Sequence, residues 1–252
     1  MRLPFRPALR VGTAIVCLLA PSIVSACKGG EASLPPQTGR QLIVAVDLSG
    51  SQSDGRRAEA KRASSMIVDS MQYGDRLVLL RVNQRSALED DAVRWDETFP
   101  APRSEPPGSL DREGLEAARN AAHSVVDNVF SHASAGQLPT TDLIATLQAA
   151  EEYVRDANGR PTTIVLMSDM LQSAHGIEMS RSVPGAEWIQ QQESQGLLPE
   201  LDGACVIVIG ADDTHTNGVA VREFWHAYIE AAGGLLSSYR LFATDLSSLR
   251  CE

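Results

Sequence analysis

Short apolar runs and helical stripes alternate along most of the chain. Runs of strand length, rich in β-branched or aromatic residues, fall at 42–46, 77–80, 164–167, 205–209 and 239–243. Between them apolar positions recur with helical period. Ala63, Met66, Ile67 and Met71 form one stripe, and Leu115, Ala118, Ala122, Val125, Val126 and Val129 a second. Leu143, Ile144, Leu147 and Val154 form a third, and Val221, Phe224, Trp225, Tyr228, Ile229 and Ala232 a fourth. Strands alternating with amphipathic helices predict an α/β fold. The expected form is a Rossmann-like three-layer sandwich, with a mainly parallel central sheet and helices on both faces. Residues 92–99 (AVRWDETF) alternate polar and apolar and predict an antiparallel edge strand.

Two stretches break the pattern. Residues 100–109 (PAPRSEPPGS) read as a Pro-rich loop. Residues 170–202 form a long insertion after the run at 164–167, with a helix expected over 186–195. Long excursions at the carboxyl end of a strand are where α/β folds build binding surfaces.

The amino terminus has a different character. Arg2, Arg6 and Arg10 precede an apolar stretch over 11–26, with no acidic residue before Glu31. The stretch is shorter than the roughly 20 residues of a comfortable membrane span and is interrupted by Pro21. It reads as a secretory signal peptide over residues 1–26. Its end, Val24-Ser25-Ala26-Cys27, resembles a bacterial lipobox. That resemblance implies cleavage before Cys27, lipidation of Cys27 and anchoring in a bacterial cell envelope, on the periplasmic face of a membrane. Residue 28 is Lys rather than Asp, which by resemblance to enterobacterial sorting permits the outer membrane. Residues 27–40 have the Gly-, Pro- and polar-rich composition of a tether, leaving 41–252 as the folded domain.

Composition narrows the function. The 252-residue chain carries a formal net charge of −10 and is 43% hydrophobic and 21% charged. That is globular rather than disordered, and the acidity speaks against a nucleic-acid partner. No G-x-S-x-G, G-x-G-x-x-G or P-loop occurs, and no Cys stands near a plausible His base. The reading is therefore non-enzymatic.

The run at 42–46 leads into Asp47-Leu48-Ser49-Gly50-Ser51, with three oxygen side chains at alternating positions leaving a strand end. Carboxylate and hydroxyl oxygens, with water, suit a hard dication such as Mg²⁺ or Mn²⁺. Thr140-Thr141-Asp142-Leu143 opens the third helical stripe, and Leu166-Met167-Ser168-Asp169 closes the third run. In a parallel sheet these strand ends share one edge. Together they resemble the von Willebrand factor A-type (vWA) domain with its metal-ion-dependent adhesion site, over residues 40–245. The resemblance implies a vWA-like fold and a metal held by Asp47, Ser49, Ser51, Thr141 and Asp169, directly or through water. It leaves one position for an Asp or Glu from a protein partner. Thr140 is adjacent to Thr141 and competes with it for the role. Two departures stand out: Pro139 where the family has Gly before its Thr, and Met170 where Gly often follows the last Asp. Asp54 is placed like a second-ion ligand, but Gly55 lacks a second carboxylate, and a helix-start acid is the better reading.

Other residues are candidates for lesser roles. None of the five His forms a close ligand pair. His215 and the acids Asp212 and Asp213 lie beyond the fourth run and could meet a partner at the rim. Trp188, beside Ile189, Glu187 and Arg181, is the aromatic candidate in the insertion, either as a contact or as packing. Of four cysteines, Cys17 leaves with the signal and Cys27 takes the lipid, so Cys205 and Cys251 are the pair an oxidising compartment could join. The expected function is a membrane-anchored, divalent-metal-dependent protein-binding module for adhesion or scaffolding. The competing readings are a Mg²⁺-dependent phosphohydrolase and a structural lipoprotein with a vestigial site. The first of these lacks the second acid of D-x-D, because Ser49 holds its place.

Overall fold

The computed structural model describes residues 39–49, 52–82, 93–131, 140–211 and 217–243. The chain divides into Met1–Leu34 and Pro35–Glu252, and only the second part contains described residues. The elements run β1 (Gln41–Asp47), α1 (Asp54–Ser70), β2 (Arg76–Val82), β3 (Val93–Thr98), α2 (Ser109–Ser131) and α3 (Leu143–Arg155). They continue with β4 (Thr162–Met167), α4 (Ala186–Ser194), β5 (Cys205–Ile209), α5 (Gly218–Ala231) and β6 (Leu235–Arg240).

The strands form one sheet in the order β3-β2-β1-β4-β5-β6. All neighbours are parallel except β3, which runs antiparallel to β2 as its alternation predicts. Successive side chains alternate between the two faces. Leu42, Val44, Val46, Leu77, Leu79, Val165, Met167 and Ile207 meet α1 and α2 on one face. Ile43, Ala45, Val78, Leu80, Ile164, Leu166, Val206 and Val208 meet α3, α4 and α5 on the other. Burial on both faces is why the central strands read as unbroken apolar runs. The result is an α/β three-layer sandwich of Rossmann-like build. Strand order reverses at β1, so the ends of β1 and β4 flank the topological switch point, the place where such sheets bind ligands.

The last strand departs from expectation. The apolar run at 239–243 predicts a strand there, but β6 is Leu235–Arg240, and Leu241 to Ala243 lie past its end. β6 is an edge strand with Leu235 53% exposed, and two serines interrupt its apolar pattern. Burial, which makes the pattern, is weak there. Among the described residues, no helix is long and apolar enough to cross a membrane.

The insertion is part of the fold. Ile177, Met179, Ile189 and Leu201 are buried in the α3/α5 core. Trp188 is half-buried there, its ring 5.8 Å from Phe224 and 6.3 Å from Tyr228. This packing accounts for the Trp188 ring.

Candidate metal centre at the switch point

Asp47 is the last residue of β1 and is 2% exposed. Its Oδ1 accepts from the Ser49 amide at 2.9 Å, the turn a strand-end Asp makes with the residue two ahead. Its Oδ2 accepts from Ser168 Oγ at 2.7 Å and from Gln52 Nε2 at 3.3 Å. All three donors are neutral.

Ser168 links the first loop to the second. Its amide donates to the Ile209 carbonyl at 3.0 Å, and its hydroxyl accepts from the Met170 amide at 3.0 Å. Asp169 beside it is 5% exposed. Asp169 Oδ1 accepts from the Leu171 amide at 3.1 Å, and Oδ2 accepts from Arg56 Nη1 at 3.4 Å. Met170 has φ 65° and is fully buried. It keeps this left-handed conformation, which favours glycine, because its side chain fills the core and its carbonyl accepts from Trp225 Nε1 at 2.8 Å. Met170 thus holds a backbone shape that glycine adopts more readily. Gly210 has φ 103°, and a Cβ there would stand 3.1 Å from the Ser168 carbonyl oxygen.

The same loop is bonded to the start of α3. The Ser173 amide donates to the Thr141 carbonyl at 3.0 Å, and the Thr141 amide donates to Ser173 Oγ at 2.9 Å. Asp142 caps α3 through the Ala145 amide at 3.0 Å. It also accepts from Gln172 Nε2 at 3.1 Å and pairs with His175 Nε2 at 2.7 Å. Gln172, wholly buried, accepts from the Leu143 amide at 2.7 Å.

Hydrogen bonds at both ends of the 168–173 loop thus join the segments carrying Asp47, Ser49, Thr141 and Asp169. Ser49 and Thr141 are 3% and 2% exposed. Ser51, Cys27, Asp212, His215 and Cys251 lie outside the described residues. Cys205, at the start of β5, is disulfide-bonded. Asp54 is a solvent-facing first-turn acid, its side chain 97% exposed and paired with Arg57. Sequence reasoning missed Gln52, Arg56, Gln172 and Ser168. Only Ser168 carried a signal, through its place between the strand and Asp169.

Among the described residues no three His, Cys, Asp or Glu side chains cluster. The site offers two carboxylates with hydroxyls instead. An all-oxygen set of this kind fits a hard dication. Thr140 adds a structural reason: among the described residues its buried Oγ1 finds no hydrogen-bond partner. Such a hydroxyl costs free energy until something satisfies it, and a cation or its water would do so. This keeps Thr140 beside Thr141 as a candidate ligand. Next to the cluster is a cavity of about 290 Å³, lined by Gln52, Arg56, Glu59, Ser168, Ile209 and Phe242 among others.

No model of a known protein family matches the chain, and no curated protein matches it. Among solved structures, two crystal forms of proximal thread matrix protein 1 from the mussel byssus are similar at 14% and 15% identity. Their TM-scores are 0.39 and 0.38, over 77% of this chain. The chain spans just under half of their length, 47% and 45%.

Proposed function

We propose that the cluster at the ends of β1 and β4 holds one Mg²⁺ or Mn²⁺ ion. Asp47, Ser49, Ser51, Thr141 and Asp169 would hold it, directly or through water, with Thr140 as the alternative hydroxyl. When bound, the ion supplies a positive centre able to take a carboxylate. The domain is then a non-enzymatic module that binds an Asp or Glu of a protein partner in a metal-dependent way. The observation that supports this reading most is the Ser168 bridge. Ser168 ties buried Asp47 to the Asp169 loop, which is itself bonded to Thr141. These bonds link the segments that carry the proposed ligands near the position where such sheets bind ligands, which is what supports the reading.

The same proposal places the module in a bacterial cell envelope, on a lipid carried by Cys27, with Cys251 as the disulfide partner of Cys205. Tryptic mapping without reductant should yield a linked Cys205–Cys251 peptide. A Cys205 linkage to any other residue would refute that pairing. The function is tested by pull-down from membranes in Mg²⁺ against EDTA, read by mass spectrometry. A partner retained in Mg²⁺, released by EDTA and lost when its contacting acid is changed to an amide is the expected result. Capture indifferent to EDTA would overturn the proposal, as would Mg²⁺-dependent phosphate release from p-nitrophenyl phosphate.

A further inference from the structure

Arg56 stands in the first turn of α1 with its guanidinium against Asp169, Nη1 to Oδ2 at 3.4 Å. The Asp169 side chain is 2% exposed and that of Arg56 21%. A buried carboxylate needs a counter-charge, and here the chain provides one of its own. The contact is long for a charge-assisted hydrogen bond, well beyond the roughly 2.7–2.9 Å of a tight one, so it is open to replacement.

A dication at Asp169 would sit close to that guanidinium, and like charges at such range repel strongly in a partly buried setting. Arg56 has somewhere to go. It lines the cavity of about 290 Å³, and so does Glu59. Glu59 is three residues further along α1 and therefore on the same helix face. The Glu59 carboxylate accepts from Arg62 and from the Ala243 amide at 2.9 Å. Its side chain is 15% exposed, and Arg62 holds its carboxyl below the usual range by a hydrogen bond. It stays ionised, and although Oε1 already takes Arg62 Nη2 and the Ala243 amide, Oε2 takes only Arg62 Nε among the described residues and keeps a lone pair for a second guanidinium.

We propose that Arg56 is an internal counter-cation that competes with Mg²⁺ for Asp169 and moves into the cavity toward Glu59 when the metal binds. This rests on the metal reading above and adds to it a residue, unmarked in the ligand pattern, that sets the affinity of the site.

The test is Mg²⁺ and Mn²⁺ calorimetry on the full chain with Arg56→Gln, Arg56→Met and Arg56→Lys, paired with thermal unfolding in EDTA and in saturating Mg²⁺. Loss of the charge should tighten Mg²⁺ binding on the order of tenfold, which corresponds to removing about 1.4 kcal/mol of competition at Asp169. Arg56→Met keeps the apolar stem and serves if Arg56→Gln does not fold. Arg56→Lys retains the charge and should stay near wild-type affinity. In EDTA the Gln and Met variants should unfold at lower temperature than wild type, and saturating Mg²⁺ should narrow that gap. Unchanged or weaker Mg²⁺ binding in the neutral variants, beside a wild type that binds, overturns the role of Arg56 and leaves the metal site standing. An Arg56→Lys affinity as tight as that of the neutral variants also overturns it. Absence of Mg²⁺ and Mn²⁺ binding in wild type and variants alike sinks the metal reading, and this inference with it.

Discussion

Ser168 Oγ donates a 2.7 Å hydrogen bond to Asp47 Oδ2, joining two residues 121 positions apart. The bond is possible because β1 and β4 are neighbours in the sheet, Val46 in register with Met167. One step further on, Asp47 closes β1 and Ser168 follows the end of β4. Aimed carboxylates are held by their partners rather than by their own rotamers.

From this follows a distinction between two changes at Asp47. Asp47→Asn keeps an oxygen for the Ser49 amide or the Ser168 hydroxyl but removes the charge. It should abolish Mg²⁺ binding in calorimetry and leave cooperative unfolding intact. Asp47→Ala leaves the donors of Ser49, Gln52 and Ser168 without their acceptor. Buried unmade hydrogen bonds cost about 1–3 kcal/mol, so this variant should lose metal and also unfold earlier. Equal Mg²⁺ affinity in Asp47→Asn and wild type would remove Asp47 from the site.

Met170 supports a second prediction, in which two effects oppose. Its φ of 65° strains a non-glycine backbone, and relief of that strain by Met170→Gly is worth about 1–2 kcal/mol. The same change empties a fully buried position, and truncation of a buried Met to Ala already costs about 2–5 kcal/mol. Burial wins, so Met170→Gly should lower stability by about 1–4 kcal/mol in denaturant titration. A more stable Met170→Gly would mean that strain, rather than packing, dominates this turn.

How far the sequence reached depends on which forces write a pattern. β1, β2, β4 and β5 are buried on both sides and carry continuous apolar runs, so they were legible. β6 is half-exposed at the edge, and Ser237 and Ser238 mask it. The residues proposed as ligands stand out in the sequence because oxygen side chains follow the ends of two apolar runs and open a helical stripe. Gln52, Gln172 and Arg56 were not, since a polar residue in a loop or first turn looks the same whether it faces water or a buried carboxylate. Only the folded chain brings Gln172 to Asp142, 30 positions away.

The insertion bears on the last prediction. Its sequence reads as a long excursion past a strand end, the kind of segment on which α/β folds build binding surfaces. The structure gives it two other tasks. Ile177, Met179 and Ile189 are 8%, 0% and 6% exposed within the core. Each large-to-small loss of that kind costs about 2–5 kcal/mol, against a total stability of about 5–15 kcal/mol for a domain. The deleted segment also braces the start of α3, because His175 pairs with the capping Asp142 and the Met179 amide donates to the Gln172 carbonyl. Replacing 174–196 with a short Gly/Ser loop should therefore unfold the domain rather than yield a folded, metal-binding protein that has lost only its partner. Circular dichroism and Mg²⁺ calorimetry on that deletion decide the matter. A cooperative unfolding transition with wild-type Mg²⁺ affinity would show that the core does not need the insertion. A gentler probe of partner contact changes the exposed charges Arg181 and Glu187 together. That pair leaves the buried residues in place, so any loss of partner capture would report on the surface alone.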